Sequence, residues 1–220
     1  MPVHIPQAEY LSLEYMPWKS GGDTDFAPIA SALGEIDCGG FWDHGKADKH
    51  GVWTANSLQC PRMVAWVRAV RANFGRVRVI RLAPQDYPTA LKRLHQDDNN
   101  RLNPPTEGWI VRAWLQLTDD PTSFMILRAH PDDAASEMRI PLPAGQQFVV
   151  DSERMFHSVC HLGTAPRYAL IASFESGPPL DRWITSQLPS TSALPARRPA
   201  ARHTTTSPAL TSGARRVRAA

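Results

Sequence analysis

Three side chains that bind metals well, His95, Asp97 and His157, are spaced so that they could surround one ion. Two imidazoles and one carboxylate are the ligand set of a non-haem Fe(II) centre, whose other coordination positions stay open for a co-substrate and O2. Side chains two residues apart on an extended chain point to the same side, so His95 and Asp97 can reach the same ion. We therefore expect these three residues to be metal ligands and catalytic residues.

Three further residues are candidates for contacts with a bound co-substrate. Arg167 follows the distal histidine by ten residues, and a guanidinium binds a carboxylate through a two-pronged hydrogen-bonded pair. Arg112 and Trp114 share one face of an earlier predicted strand, which should face the interior of a barrel. Arg128 is a less central candidate for the same pocket.

Two other histidines compete for a place in the metal site. His130 and Asp132 repeat the His-x-Asp pattern, but Pro131 places them in a predicted turn, close in sequence to His157. His161 competes with His157 as the distal ligand. We favour His157, because it alternates with Met155 along a predicted strand.

The elements that must position these residues look like short strands separated by Asp, Pro and Gly turns. The predicted strands cover residues 77–82, 109–117, 123–129, 138–142, 146–150, 155–160 and 167–174. Short strands at near-regular spacing are typical of a β-sandwich or a β-barrel. Together with the metal motif, they predict a mainly β fold, a double-stranded β-helix (jelly-roll, cupin-like) barrel with flanking α-helices.

Two helices are predicted before the first of these strands. The stronger one covers residues 57–74, with Ser57 as N-cap, Pro61 in the first turn and Gly75 as the stop. Its apolar residues recur at helical spacing: Met63, Trp66, Val67 and Val70. A shorter helix is predicted over residues 26–33, with Asp25 as its N-cap.

The chain of 220 residues is predicted to form one domain and a tail. The domain covers residues 1–184, with an N-terminal wrap (1–56), the helix and a barrel (76–175). The tail, residues 185–220, is rich in Ser, Thr, Pro, Ala and Arg and is predicted to be disordered. It holds six arginines and no acid, and subtracting these from the net charge of +3 leaves −3 for the domain.

The three cysteines, Cys38, Cys60 and Cys160, are far apart and form no Cys-x-x-Cys pair. This argues against a disulfide framework and a zinc knuckle, and predicts buried, reduced thiols in a cytoplasmic protein. No apolar run approaches the length of a membrane span, so no membrane partner is expected.

The layout His95-x-Asp97, His157 and Arg167 resembles the Fe(II)/2-oxoglutarate-dependent dioxygenase superfamily. The segment 143–159 is similar to the aspartyl/asparaginyl β-hydroxylase and proline 3-hydroxylase branch, in which a Gly-x-x-φ-x-x-Asp turn precedes the distal histidine. In that branch a histidine often stands where this chain has Trp114. The resemblance implies Fe(II), 2-oxoglutarate and O2, with Arg167 holding the distal carboxylate of 2-oxoglutarate.

The implied activity is oxidation, usually hydroxylation, of a C–H bond. The compact chain favours a small-molecule substrate, such as a free amino acid or a natural-product building block. One alternative is an oxygenase acting on a peptide, a protein or a nucleic acid. A nucleic-acid substrate is disfavoured, because Ser173 stands where the demethylases have a second arginine. A further alternative is a cupin-like metal protein or isomerase that uses no 2-oxoglutarate.

Overall fold

The computed structural model describes residues 3–18, 24–37 and 44–188. Within these residues the chain forms two antiparallel sheets and four α-helices. The strands are β1 (Met16–Pro17), β2 (Thr24–Ser31), β3 (Val52–Trp53), β4 (Phe74–Leu82), β5 (Ile110–Gln116), β6 (Phe124–Arg128), β7 (Met138–Pro141), β8 (Gln147–Val150), β9 (Phe156–Cys160) and β10 (Arg167–Glu175). The helices are α1 (Gln7–Leu11), α2 (Pro61–Val70), α3 (Tyr87–Lys92) and α4 (Pro178–Gln187).

The larger sheet has the order β1-β2-β4-β10-β5-β8, with β3 also paired to β2, and the smaller sheet has the order β7-β6-β9. An isolated bridge between His95 and His157 continues the smaller sheet beyond β9. From β4 onward the chain alternates between the sheets, visiting the smaller one at His95, at β6 and β7, and at β9. The predicted mainly β class is confirmed, and both sheets are antiparallel.

The two sheets face each other across an apolar cluster. The larger sheet contributes Trp114 and Ile171, while the smaller sheet contributes Met125 and Leu127. Because successive side chains of a strand point to opposite faces, every second residue of β4, β5 and β10 enters this space. The candidate site residues Arg112, Trp114 and Arg167 belong to this inner face.

The outer face of the larger sheet is covered by helices. Leu170, Ala172 and Phe174 of β10 belong to one buried cluster with residues of α1, α2 and α4. Trp66 of α2 lies between Phe174 and Trp183, with ring centroids 6.2 and 5.7 Å away. This apolar layer leaves the inner face as the side on which polar chemistry is concentrated.

The helix predicted over residues 26–33 is wrong, because this segment is strand β2. Residues Phe26 to Ser31 are all buried, so the sequence shows a continuous apolar run, and periodicity alone cannot distinguish a strand from a helix in such a run. Asp25 forms an ion pair with Arg81 of β4 instead of capping a helix. Pro28 is tolerated because the β2–β4 register shifts immediately after it.

The helix predicted over residues 57–74 is present but shorter. A 3-10 turn, Ala55–Gln59, precedes α2, so Ser57 is not its N-cap, and Pro61 is the first helical residue. The last helical residue is Val70, and the next residue, Arg71, has a left-handed φ of 60° that ends the helix. Gly75 is part of β4 rather than a helix stop. A Cβ there would lie 2.0 Å from the backbone oxygen of Asp48, so the position requires glycine.

All seven strands predicted from residue 77 onward are confirmed, with ends shifted by three residues or fewer. At the other end, α4 runs to Gln187, so the first three residues of the predicted tail are helical, and residues 189–220 lie outside the described part. Cys60 and Cys160 are free and buried, whereas Cys38 lies outside the described residues. No described helix is long and apolar enough to span a bilayer.

Candidate metal centre

The structure brings His95, Asp97 and His157 together, with one potential ligand atom from each lying within 4.8 Å of the others. His95 follows α3 in a short extended segment, and His157 lies on β9. Their backbones form a closely spaced pair of hydrogen bonds, with N···O distances of 3.2 and 2.9 Å. Residues paired in this way project their side chains from the same face, which accounts for the 4.4 Å between the two ring centroids.

Both imidazoles are held with the same nitrogen directed at the backbone. Nδ1–H of His95 donates to the carbonyl oxygen of Arg93 at 2.9 Å, and Nδ1–H of His157 donates to that of Met155 at 3.3 Å. Each bond fixes the tautomer in which Nε2 carries a lone pair. Both histidines can therefore direct Nε2 at a metal.

His157 is buried, while His95 is exposed. Burial lowers the pKa of His157 to about 4, because desolvation opposes the charged imidazolium, and the nearby carboxylate of Asp97 offsets this only in part. The ring stays neutral near pH 7, as a metal ligand must. One side of the triad is thus enclosed and the His95 side faces solvent.

Asp97 is fixed through its backbone and its side chain. Its N–H donates to the carbonyl oxygen of Ser152 at 2.8 Å, and its Oδ2 accepts from Nε of Arg112 at 2.8 Å. Burial alone would raise the pKa of this carboxyl, but the positive charge and hydrogen bond of Arg112, with the charge of Arg78, outweigh it and hold the pKa well below its usual range. The carboxylate is therefore ionised, with Oδ1 available to a metal.

All three nitrogens of the Arg112 guanidinium are engaged by protein. Besides the bond to Asp97, NH1 donates to Oγ of Ser173 at 2.6 Å and NH2 donates to Oδ1 of Asn99 at 2.5 Å. Oδ2 of Asp48 lies 3.6 Å from NH1 and accepts from Ser173 at 2.6 Å. The sequence predicts a co-substrate contact for Arg112, but these bonds tie its guanidinium to Asp97 instead.

Arg167 is buried at the start of β10, with its guanidinium on the inner face of the larger sheet. NH2 donates to Oε1 of Gln116, whereas NH1 has no hydrogen-bond partner among the described residues. Desolvation lowers the pKa of Arg167 to about 10, with Asp120 offsetting part of the effect. A buried N–H group of a cation without a partner is costly, so this position suits an anion.

A cavity of about 50 Å³ lies beside Arg167, between the two sheets. Apolar residues from both sheets line it, among them Ile80, Leu142 and Val159, and Arg167 is the one charged side chain of the described lining. Trp114 lines it as well, lies edge-on to His157 with ring centroids 5.9 Å apart, and stacks on Phe148 at 5.5 Å. Trp114 thus contacts His157 of the triad and also lines the cavity that holds Arg167.

The competing histidines lie elsewhere. The side chains of His130 and Asp132 are exposed, and the closest approach of Nδ1 to Oδ2 is 4.0 Å. His161 is buried with both ring nitrogens occupied: Nδ1 accepts from the Ser123 hydroxyl at 2.8 Å, and Nε2–H donates to the carbonyl oxygen of Ala165 at 2.7 Å. Neither residue has a free ligand atom beside the triad.

Arg128 is also directed away from the cavity. Its guanidinium binds the carboxylate of Glu137 and the carbonyl oxygen of Pro131, both near the β6–β7 connection. Sequence reasoning therefore placed this arginine correctly on a strand but not at the site.

Four residues that shape the site were not predicted. Asp48, Asn99 and Ser173 hold Arg112, and Gln116 holds Arg167. Only Gln116 and Ser173 gave a usable signal, because each is an even number of residues from a predicted inner-face residue of its strand. Asp48 and Asn99 lie in irregular segments, where the sequence gives no periodicity.

These residues fit Fe(II) and a 2-oxo diacid. The triad supplies two imidazoles and one ionised carboxylate, the donor set of non-haem Fe(II) centres that keep open coordination positions. Beside the cavity, the NH1 of Arg167 that lacks a described partner matches a carboxylate. The apolar lining of the cavity suits the methylene groups of such a molecule.

No protein-family model matches the chain, and no curated protein matches it. Among solved structures it is similar to the Fe(II) form of HppE, at 12% identity and a TM-score of 0.37, over 78% of this chain and 60% of that one. It is also similar to an oxidoreductase of the 2OG-Fe(II) oxygenase family from Burkholderia pseudomallei, at 15% identity and a TM-score of 0.47, over 76% of this chain and 74% of that one.

A Pseudomonas putida prolyl-4-hydroxylase is a third similar structure, at 15% identity and a TM-score of 0.40, over 75% of this chain and 79% of that one. Of these three, the Burkholderia pseudomallei protein is named as a member of the 2OG-Fe(II) oxygenase family, the superfamily that the sequence motif resembles. All three TM-scores lie below 0.5, so a functional assignment rests on this chain's own residues.

Proposed function

We propose that this protein is an Fe(II)/2-oxoglutarate-dependent dioxygenase that hydroxylates a C–H bond of a small molecule. The observation that carries the proposal is the grouping of one potential ligand atom each from His95, Asp97 and His157 within 4.8 Å, while Nδ1 of both histidines is bonded to the backbone. Ligands that come from two separate elements converge with the charge and tautomer that Fe(II) needs.

Each residue has a defined role in this proposal. The triad holds Fe(II), and Arg167 binds the distal carboxylate of 2-oxoglutarate through its NH1. Trp114 forms the cavity wall between them and orients the co-substrate. Fe(II) bound there supplies the redox chemistry that couples O2 to the oxidative decarboxylation of the 2-oxo acid. The balanced reaction is 2-oxoglutarate plus O2 plus R–H giving succinate, CO2 and R–OH.

In this proposal, the two sheets together form a jelly-roll barrel. If the His95 segment is counted as a strand, the orders β4-β10-β5-β8 and His95-β9-β6-β7 form two four-stranded halves. The chain crosses between the halves at each connection except the β6–β7 hairpin, as in a double-stranded β-helix. The triad then lies inside one end of the barrel, with the exposed His95 side open to a substrate.

The cavity also has a chemical role. Its apolar lining provides a low-polarity environment beside Arg167, which strengthens an ion pair between the guanidinium and a carboxylate. A small substrate, such as a free amino acid, would approach the ion from the His95 side. This is the side on which the triad is exposed.

The test is anaerobic titration of the protein with Fe(II) and 2-oxoglutarate. Chelation should produce a weak metal-to-ligand absorption band at roughly 500 nm. The variant His95→Ala should lose this band, and its Fe(II) affinity should fall by at least about 100-fold. The matched control, His130→Ala, alters an exposed histidine of the second His-x-Asp pair and should behave like the wild type.

Absence of the band together with tight Fe(II) binding would favour a cupin-like metal protein over the oxygenase. Loss of the band in His130→Ala but not in His95→Ala would mean that His130, and not His95, is a metal ligand. Succinate release, measured across a set of free amino acids under O2, then identifies the substrate class. Release that no small molecule stimulates would contradict the small-molecule part of the proposal.

A further inference from the structure

The guanidinium of Arg167 is buried without an ion pair in the described part of the chain. Asp120 is the acid whose charge acts on it, but Oδ1 of Asp120 accepts hydrogen bonds from the backbone and hydroxyl of Thr122. Oδ2 of Asp120 lies 3.7 Å from Nδ1 of His161. The direct hydrogen-bond partner of Arg167 is therefore a neutral group, the amide oxygen of Gln116.

Gln116 is held firmly in this position. It lies on the inner face of β5 and is 2% exposed. Its backbone N–H donates to the carbonyl oxygen of Gln146 at 3.0 Å, and its own carbonyl oxygen accepts from the N–H of Gly145 at 2.8 Å. The backbone of Gln116 is thus held by the sheet and by the turn before β8, and its side chain leaves this backbone on the inner face, where it meets Arg167.

The amide is the neutral analogue of a carboxylate with nearly the same shape. A glutamate at this position would satisfy the same NH2 group but would also neutralise the guanidinium. An acceptor without charge orients Arg167 and leaves its positive charge without a direct counter-ion beside an apolar cavity, with Asp120 acting on it only from a distance. A bound anion that reaches NH1 supplies the missing direct partner.

We propose that Gln116 is a specificity-determining residue, which keeps the Arg167 side of the cavity cationic and thereby selects a 2-oxo acid with a second carboxylate. This inference rests on the proposed function. It concerns the co-substrate end of the site and a residue that acts through Arg167, so Gln116 is a positioning residue. The ligand class it favours is a short 2-oxo diacid, and the class it rejects is a 2-oxo acid with an uncharged chain.

Position along β5 explains why Gln116 acts only on this end. Inner-face side chains of a strand follow one another at about 7 Å. Arg112 contacts Asp97, Trp114 contacts His157, and Gln116 contacts Arg167. A change at residue 116 therefore alters the charge at the far end while leaving the triad and its support in place.

The experiment compares two ligands of equal carbon number, 2-oxoglutarate and 2-oxopentanoate, which lacks the second carboxylate. Dissociation constants are measured anaerobically by calorimetry on the Fe(II)-loaded protein. The wild type should prefer 2-oxoglutarate by about 100-fold, as expected of a buried ion pair. In Gln116→Glu the preference should fall to within about threefold, because the introduced carboxylate takes the place of the ligand's.

Two controls separate charge from shape and from folding. Gln116→Met removes the amide without adding charge, so it should keep at least about tenfold preference for 2-oxoglutarate. Gln147→Glu makes the same chemical change on the neighbouring strand, where Gln147 binds Trp66 on the outer face, and should keep the full preference. The Fe(II) affinity of all three variants should match the wild type.

The outcomes distinguish this inference from the proposed function. A wild type that binds neither 2-oxo acid overturns both. If the wild type prefers 2-oxoglutarate and the Gln116→Glu variant keeps the same preference as the wild type, only the role of Gln116 is overturned. If Gln116→Glu does not fold, Gln116→Met still decides: complete loss of preference in that variant would show that the amide, not the charge it leaves on Arg167, makes the selection.

Discussion

Arg112 donates a 2.8 Å hydrogen bond from Nε to Oδ2 of Asp97, so a carboxylate of the candidate metal centre is paired with a buried arginine. The pair is part of a larger network, because Asp48 forms an ion pair with Arg76 at 2.9 Å and lies 3.6 Å from Arg112. Without a metal, Asp97 is compensated by Arg112. With a metal, it is shared between two cations.

The first prediction concerns the variant Arg112→Met. Removing one member of a buried charge pair leaves the carboxylate of Asp97 uncompensated, and we expect the metal-free protein to lose about 3 kcal/mol of unfolding free energy. A bound divalent ion should restore part of that loss, because it takes over as the counter-charge. Urea unfolding with and without Zn(II) measures both effects.

Arg101→Met is the matched control for that experiment. Arg101 is half exposed and lies 3.5 Å from the exposed Asp98, and such surface pairs contribute about 0–1 kcal/mol. It should therefore have little effect in either condition. Equal stability of the Arg112→Met and wild-type proteins without metal would contradict the role assigned to Arg112.

The second prediction separates the roles of two buried histidines, His157 on β9 and His161 directly after it. His161→Ala should destabilise the protein by about 2–3 kcal/mol, because it opens a cavity and leaves the Ser123 hydroxyl and the Ala165 carbonyl without partners. Its metal affinity should be unchanged. His157→Ala should instead abolish high-affinity metal binding. Calorimetric metal titration and urea unfolding of both variants test this reversal.

The strands that carry the site could be predicted because their alternation is clear in the sequence. On the outer face of the larger sheet, the side chains of Val77, Val79 and Leu170 are buried beneath the helices. On the inner face lie Arg112 and Arg167, so the alternation predicted from the sequence is present in the structure. The triad could be predicted because few combinations of residue types suit a metal. Features set by residue type and local period were therefore accessible from the sequence.

Features that depend on distant partners were not accessible in this way. The apolar run of β2 matched a helix as well as a strand until β4 and β3 paired with it. The face of Arg112 was predictable, but its partners Asn99, Ser173 and Asp48 come from three separate segments. A period of two places a side chain on a face of the sheet and gives no information about what it meets there.

The third prediction concerns acid stability and the cluster around Glu137. Its carboxylate accepts hydrogen bonds from Tyr87, Arg139 and Arg128. Burial opposes ionisation, but these donors outweigh it and lower the pKa of Glu137 to about 2. A carboxyl with a lowered pKa stabilises the fold above its unfolded pKa, near 4.5, and this contribution is lost as the pH falls towards 2.

We therefore expect the wild type to exceed Glu137→Gln in unfolding free energy by about 2 kcal/mol at pH 6, and by almost nothing near pH 2. Urea unfolding across this range measures the difference. The control variant Asp132→Asn alters an exposed acid in the β6–β7 connection and should show no such trend. A constant difference between the wild type and Glu137→Gln would exclude titration of Glu137 as its cause.

The last prediction compares two truncations at the C-terminal end. Ending the chain after Gln187 removes only residues beyond α4 and should leave metal binding and stability unchanged, because every residue of the candidate site lies between residues 48 and 173. Ending it after Ser176 removes all of α4, including the buried Leu180 and Trp183.

Loss of these two side chains should uncover Trp66 and lower the unfolding free energy by about 3–5 kcal/mol, comparable to truncating a large core residue. Thermal melting of both truncated proteins measures this contrast. The variant Trp183→Ala in the full chain should reproduce most of the effect of ending the chain after Ser176. Equal melting temperatures for the two truncated chains would mean that α4 does not stabilise the larger sheet. A drop confined to the shorter chain, with the metal affinity of the longer one intact, would locate the C-terminal limit of the folded unit at α4.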